Sequence, residues 1–140
     1  MVTHSLDTPF LMLCRISAVG DGFMAAESAK LGGEPHELLE AMAQCAAYHV
    51  RHVTKFSRQA FLMKVTRYPF PPSPVTGIVS MTATLTGSAS DARAYAVSAE
   101  VGGETVTASL LIGTTPFDDR FEAARLSPHY QEIFSCLTSA

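Results

Sequence analysis

Apolar positions along the chain first alternate, then bunch at helical spacing, then alternate again. Residues 10–18, "FLMLCRISA", and 23–29, "FMAAESA", read as two strands joined through the turn signal Gly20-Asp21-Gly22, a plausible hairpin. "KLGGEP" breaks the alternation with two glycines and a proline, and the spacing then predicts a helix from Pro35 to Thr54. Proline suits the first helical turn, where its missing N–H has no intrahelical partner anyway. On that helix Leu38, Leu39, Met42, Cys45, Ala46, His49, Val50 and Val53 form a broad apolar band. Glu37, Glu40, Gln44, Tyr48 and Arg51 form a narrower polar stripe, so the helix is expected to be almost wholly buried.

The two-residue period returns in "AFLMKVTRYPF", residues 60–70, followed directly by the proline-rich "PPSPVTG", which reads as a rigid loop. Three runs rich in Val, Thr, Ala and Ile follow, divided at Gly87 to Asp91 and at Gly102-Gly103. They predict a three-stranded antiparallel meander. The tail "FDDRFEAARLSPHYQEIFSCL" is expected to form one or two short helices covering a sheet edge. Two strands, one long helix and four strands make an α+β layout with the helix on one face of a curled antiparallel sheet. Ala41, Ala43, Ala46 and Ala47 remove bulk, allowing the sheet to wrap closely around the helix.

Composition narrows the picture. A chain of 140 residues is long enough for one domain with a proper core, so a single domain over 1–140 is expected. With 47% hydrophobic residues, 16% charged and a net charge of -3, neither disorder nor a polyanion-binding surface is favoured, and nucleic acid is not an expected partner. No apolar run approaches the roughly 20 residues that a membrane-spanning helix needs. The N-terminus lacks the basic start of a secretory signal, so a cytoplasmic location without membrane partners is expected. Cys14, Cys45 and Cys136 are too widely spaced for a metal or redox motif and are expected to be small buried hydrophobes.

"LLEAMAQCAAY", residues 38–48, resembles the central-helix signature of the beta-hydroxyacyl-ACP dehydratases, fatty-acid-synthesis lyases of the hot-dog superfamily. "PFLMLCRISAVGDGFMAAESA" is similar to that family's opening hairpin. "FLMKVTRYPFPPSPVTG", with its basic-aromatic pair, is similar to the following strand, and "AEVGGETVTASLLI" to the closing hairpin. The resemblance spans residues 9–113, and Glu-Ala-Met-Ala-Gln is its most specific part. It implies a hot-dog fold, no cofactor, a homodimer, and an acyl-thioester substrate carried on ACP or CoA. Arg51, Lys55, Arg58 and Lys64 offer positive charge to the carrier's phosphopantetheine or acidic surface.

Dehydrating a 3-hydroxyacyl thioester takes a base at C2, an acid for the departing hydroxyl, and donors for the carbonyl oxygen. By resemblance Glu40 takes the place of the family's helix glutamate, which acts on the hydroxyl. Leu39, Ala41 and Met42 around it are expected to supply the burial that keeps a carboxylic acid protonated. The family's loop histidine falls at Ala26, and no His-Phe-Pro-Gly is present; His36 is the nearest candidate base. Gly32 and Gly33 are candidates for bringing backbone amides to a thioester carbonyl, or only for turning the chain into the helix. Two other readings keep the fold: an acyl thioesterase, which needs Glu40 but no loop histidine, and a non-catalytic domain that binds acyl thioesters or their carrier. "HELLE" comes close to a zinc-protease motif, but His49 and His52 lie too far along the helix to complete a site, and no metal is expected.

Overall fold

The computed structural model describes residues 11–117 and 123–139. In chain order the elements are β1 (Leu13–Val19), β2 (Phe23–Ser28), β3 (Leu31–Gly32), α1 (Glu37–Val53), β4 (Arg58–Arg67), β5 (Thr76–Gly77), β6 (Ser80–Ser88), β7 (Ala92–Val101), β8 (Glu104–Pro116) and α2 (Ala123–Ser139). Six strands form one antiparallel sheet in the order β1-β2-β6-β7-β8-β4. The two remaining strands, β3 and β5, pair with each other. This small second sheet escapes a periodicity reading because strands of two residues have no period to detect.

The predicted turns form as their chemistry dictates. Gly102 and Gly103 close the β7–β8 hairpin with φ of 58° and 83°, the left-handed pair that a two-residue turn requires. From there the ladder runs without a bulge from Val101↔Glu104 to Ala92↔Gly113. Alternate residues of β7 (Tyr95, Val97, Ala99) and β8 (Ala108, Leu110, Ile112) point inward onto α1. Small side chains meet small side chains at this contact: Ala83, Ala99 and Ala108 of the sheet and Ala41 and Ala46 of the helix are all fully buried. Closely matched alanines let the helix axis sit near the sheet, and Met24, Met42 and Leu38 fill the space around them.

The polar stripe of α1 is wet only at its start. Tyr48 and Arg51 are buried because α2 lies over the C-terminal half of the helix. The Arg51 guanidinium is sandwiched between two rings, 4.6 Å from the Tyr48 centroid and 4.1 Å from that of Tyr130. It also donates from Nη2 to the Ala60 carbonyl at 3.2 Å. Two aromatic faces and a carbonyl dipole stabilise a cation that burial would otherwise penalise. His52 stacks on Phe134 at 5.3 Å, and Ser127 donates to the Phe56 carbonyl at 2.7 Å. Arg51 is therefore not a surface charge offered to a carrier. The tail also differs from expectation in length: α2 is one helix of 17 residues, although it does cover the β1 edge as predicted. Residues 118–122 of that predicted tail lie outside the described residues.

The cysteine expectation needs correcting. Cys45 is buried, its thiol pushed up to about 12 by desolvation, but Cys14 is exposed and Cys136 half-buried. Cys14 follows the inward-facing Leu13 on edge strand β1, so strand alternation turns it outward.

Candidate functional site at the first turn of the central helix

Helix α1 begins at Glu37, with His36 at the capping position but making no side-chain cap. The loop before it is held from the other direction. The Glu37 carboxylate reaches back and accepts the backbone N–H of Gly32 at 2.9 Å and of Glu34 at 3.0 Å. A negative side chain in the first turn also faces the positive end of the helix dipole. The Gly32 amide thus has an internal partner. Gly33 turns the chain at φ 93°, where any other side chain would be strained by the backbone conformation alone.

Glu40 is the only exposed residue of α1. The enclosure predicted for it is not present in the single chain, because Ala41 and Met42 turn toward the sheet and only Leu39, half-buried, stays on the outer side. His36 and Glu40 are joined by a helical hydrogen bond, Glu40 N to His36 O at 3.0 Å. Among the described residues no contact joins their side chains. Gln44, the next residue on the stripe, accepts the Met12 amide through Oε1 at 2.7 Å and so pins the segment before β1.

Further along the helix His49 is fully buried and engaged on both ring nitrogens. Nε2 lies 2.9 Å from the Gly20 carbonyl and must donate to it; Nδ1 lies 2.6 Å from the Tyr95 hydroxyl and accepts from it in the neutral ring. Burial holds the His49 pKa below the usual histidine value, and the nearby His52 and Arg93 charges lower it further. This histidine ties α1 to the β1–β2 turn and to β7, as its place on the apolar band predicts. Among the described residues no group of three or more His, Cys, Asp or Glu is placed to hold a metal ion.

A cavity of ≈ 230 Å³ opens beside the same helix turn, lined by Gly33, Pro35, Leu38, Tyr68, Phe70 and Pro74 among others. Its walls come from the β3–α1 loop and from the proline-rich segment after β4, so the glycine turn and the prolines together shape it. The Tyr68 ring meets Phe70 edge-on at 4.8 Å, and Phe70 itself is 70% exposed. Leu38 faces the cavity while Glu40, two residues on, points to the other side of the helix, since two steps of 100° separate them. Within one chain the cavity and Glu40 are therefore not brought together. Sequence reasoning singled out Glu40, His36, Gly32 and Gly33 but gave Tyr68 no role; its one signal was the basic-aromatic pair Arg67-Tyr68 ahead of the prolines.

No family model and no curated relative matches the sequence. Solved structures do match it in shape. A thioesterase mutant of Staphylococcus aureus superposes with a TM-score of 0.65 at 12% identity, covering 81% of this chain and 99% of that one. The chain has the hot-dog fold. A thioesterase mutant of Pseudomonas aeruginosa gives 0.64 at 12% identity, with 83% of this chain and 92% of that one covered. The dehydratase heterocomplex ApeI:P of Xenorhabdus doucetiae gives 0.60 at 15% identity, with 81% and 88% covered. A hot-dog chain thus shares its architecture with proteins of both kinds, and fold alone does not separate the two reactions.

Proposed function

We propose that this hot-dog protein acts on acyl thioesters, with Glu40 as the reacting carboxylate, and that it dehydrates 3-hydroxyacyl thioesters carried on ACP or CoA. The observation that carries the reading is the position of Glu40: the one exposed residue of an otherwise buried central helix, set in the Glu-Ala-Met-Ala-Gln sequence that resembles the dehydratases. Exposure alone is ordinary for a helix glutamate; what marks Glu40 is the motif around it. Its role is to donate a proton to the departing C3 hydroxyl, while amides of the Gly32–Gly33 turn are candidates to hold the carbonyl oxygen. The Gly32 amide becomes available to a ligand only if the Glu37 carboxylate gives it up. His36 remains a candidate base only from another chain, because its side chain and that of Glu40 make no contact in one.

A second copy of the chain is proposed to complete the site. Strand β4 is the free edge of the main sheet, and Phe61, Leu62 and Met63 on it are 42%, 42% and 46% exposed. A ten-residue edge carrying three successive large apolar side chains invites pairing unless something covers it. Gly113 on the neighbouring strand supports that surface, since a Cβ there would lie only 2.5 Å from Phe61 Cζ and 2.8 Å from Met63 Cε. Pairing of β4 with its own copy is a two-fold arrangement. In the proposed arrangement the partner's surface covers Glu40 and supplies the cavity that it lacks in its own chain.

Hydrolysis of the thioester is the second reading. It is favoured by the open exposure of Glu40, which can activate a water molecule without any histidine. Following both products on one 3-hydroxyacyl-pantetheine substrate tests the assignment. Formation of the trans-2-enoyl thioester supports dehydration, free thiol supports hydrolysis, and neither product with tight binding supports a domain that only holds the acyl group.

A further inference from the structure

The Tyr68 hydroxyl is shielded from solvent and has no hydrogen-bond partner among the described residues. That is a costly arrangement. An unpaired buried donor forfeits about 1–3 kcal/mol, and native structures keep such groups only where something else compensates. Tyr68 lines the cavity at the first turn of α1, together with Leu38 and Gly33. Burial raises the phenol pKa, so at neutral pH the group is a proton donor and not a phenolate. Apart from Glu34 and Ser73 the remaining side chains of the lining are apolar, and its four prolines have no N–H to give.

We propose that Tyr68 is a substrate-binding residue: rotation of its side chain about Cα–Cβ brings the hydroxyl, closed to solvent in the free protein, to the cavity that the residue lines, where it donates a hydrogen bond to the carbonyl oxygen of the bound acyl thioester. This rests on the acyl-thioester reading above. A neutral acceptor fits better than an anion, since the cavity lining contains no Lys or Arg and does contain Glu34. An acyl thioester combines one such acceptor with an apolar tail. The volume is below the range of about 300–1,000 Å³ usual for drug-sized ligands, so the portion held here is a short acyl segment. The hydroxyl then trades folded-state stability for ligand affinity, the pattern expected at a functional site.

Two probes separate this role from packing: the amide analogue of octanoyl-pantetheine, which keeps a carbonyl, and octyl-pantetheine thioether, which lacks one. Tyr68→Phe removes only the oxygen. The expected result by calorimetry is binding of the amide about ten-fold weaker than to the wild type. Binding of the thioether stays unchanged, as does oligomeric mass, with a melting temperature equal to or above the wild-type value. Equal affinity of both proteins for the amide, equal weakening toward both probes, or loss of an oligomer in the variant would each overturn the assignment. Wild-type protein that binds neither probe would overturn the acyl-thioester reading and this inference together. Wild-type protein that binds both probes, with no effect of Tyr68→Phe, would remove Tyr68 alone.

Discussion

His49 shows how little a residue's type says about its role. Midway along the central helix it has the chemistry of a base, yet both ring nitrogens are spent on Tyr95 and Gly20. The consequence is a pH dependence of stability. Because the folded-state pKa is held below the ordinary value near 6.5, the unfolded chain takes up a proton first as pH falls. The His49 contribution is thus fully present above about pH 6.5 and is lost as pH drops from there toward the depressed folded value. Urea unfolding at neutral pH and again about one unit below 6.5 should show lower stability in the acid sample, and His49→Leu should flatten that difference. A steeper loss in the variant would contradict the assignment. The apolar band of the helix made His49's burial legible in the sequence. The polar reading of Arg51 failed for a complementary reason: the ring that covers it, Tyr130, comes from 79 residues further on, beyond the reach of any local pattern.

At the scale of elements, the chain adds α2 to a helix gripped by a sheet. The long strands and α1 were readable because each buries one face with a clean period. The small β3–β5 pair and the full length of α2 were not, because two-residue strands carry no period and Pro128 reads as a break. Within α2, Tyr130 is the contact on which the packing turns. It covers Arg51, meets the Tyr48 ring at 6.3 Å and lies 3.4 Å from the Gln59 amide. Tyr130→Ala should cost about 2–3 kcal/mol, since it removes a large side chain and opens one face of a buried cation. Chemical denaturation reads this directly; a change below about 0.5 kcal/mol, typical of a surface position, would show that α2 is not held there.

For the molecule as a whole, the edge strand β4 is the feature with the widest consequence. Its exposed Phe61, Leu62 and Met63 are the surface that the proposed second copy would cover, and the separation of Glu40 from its own cavity is what that copy is proposed to remedy. Lysine at an edge blunts pairing. Leu62→Lys is accordingly expected to halve the molar mass measured by light scattering and to abolish turnover, leaving the fold's circular dichroism unchanged. Retained turnover in a monomer would place the whole site in one chain. The motif singled out Glu40, the proposed reacting carboxylate, but no local pattern reveals the cavity, whose walls come from two loops far apart in the sequence.

Glu40→Gln measures the central claim most directly, because it removes the proton and the charge while keeping the shape. With a 3-hydroxyacyl-pantetheine substrate, turnover by the variant should fall by about 100-fold or more, and affinity for the octanoyl-pantetheine amide should stay within a few-fold of the wild-type value. A Glu40→Gln protein that turns over substrate at the wild-type rate would contradict the account.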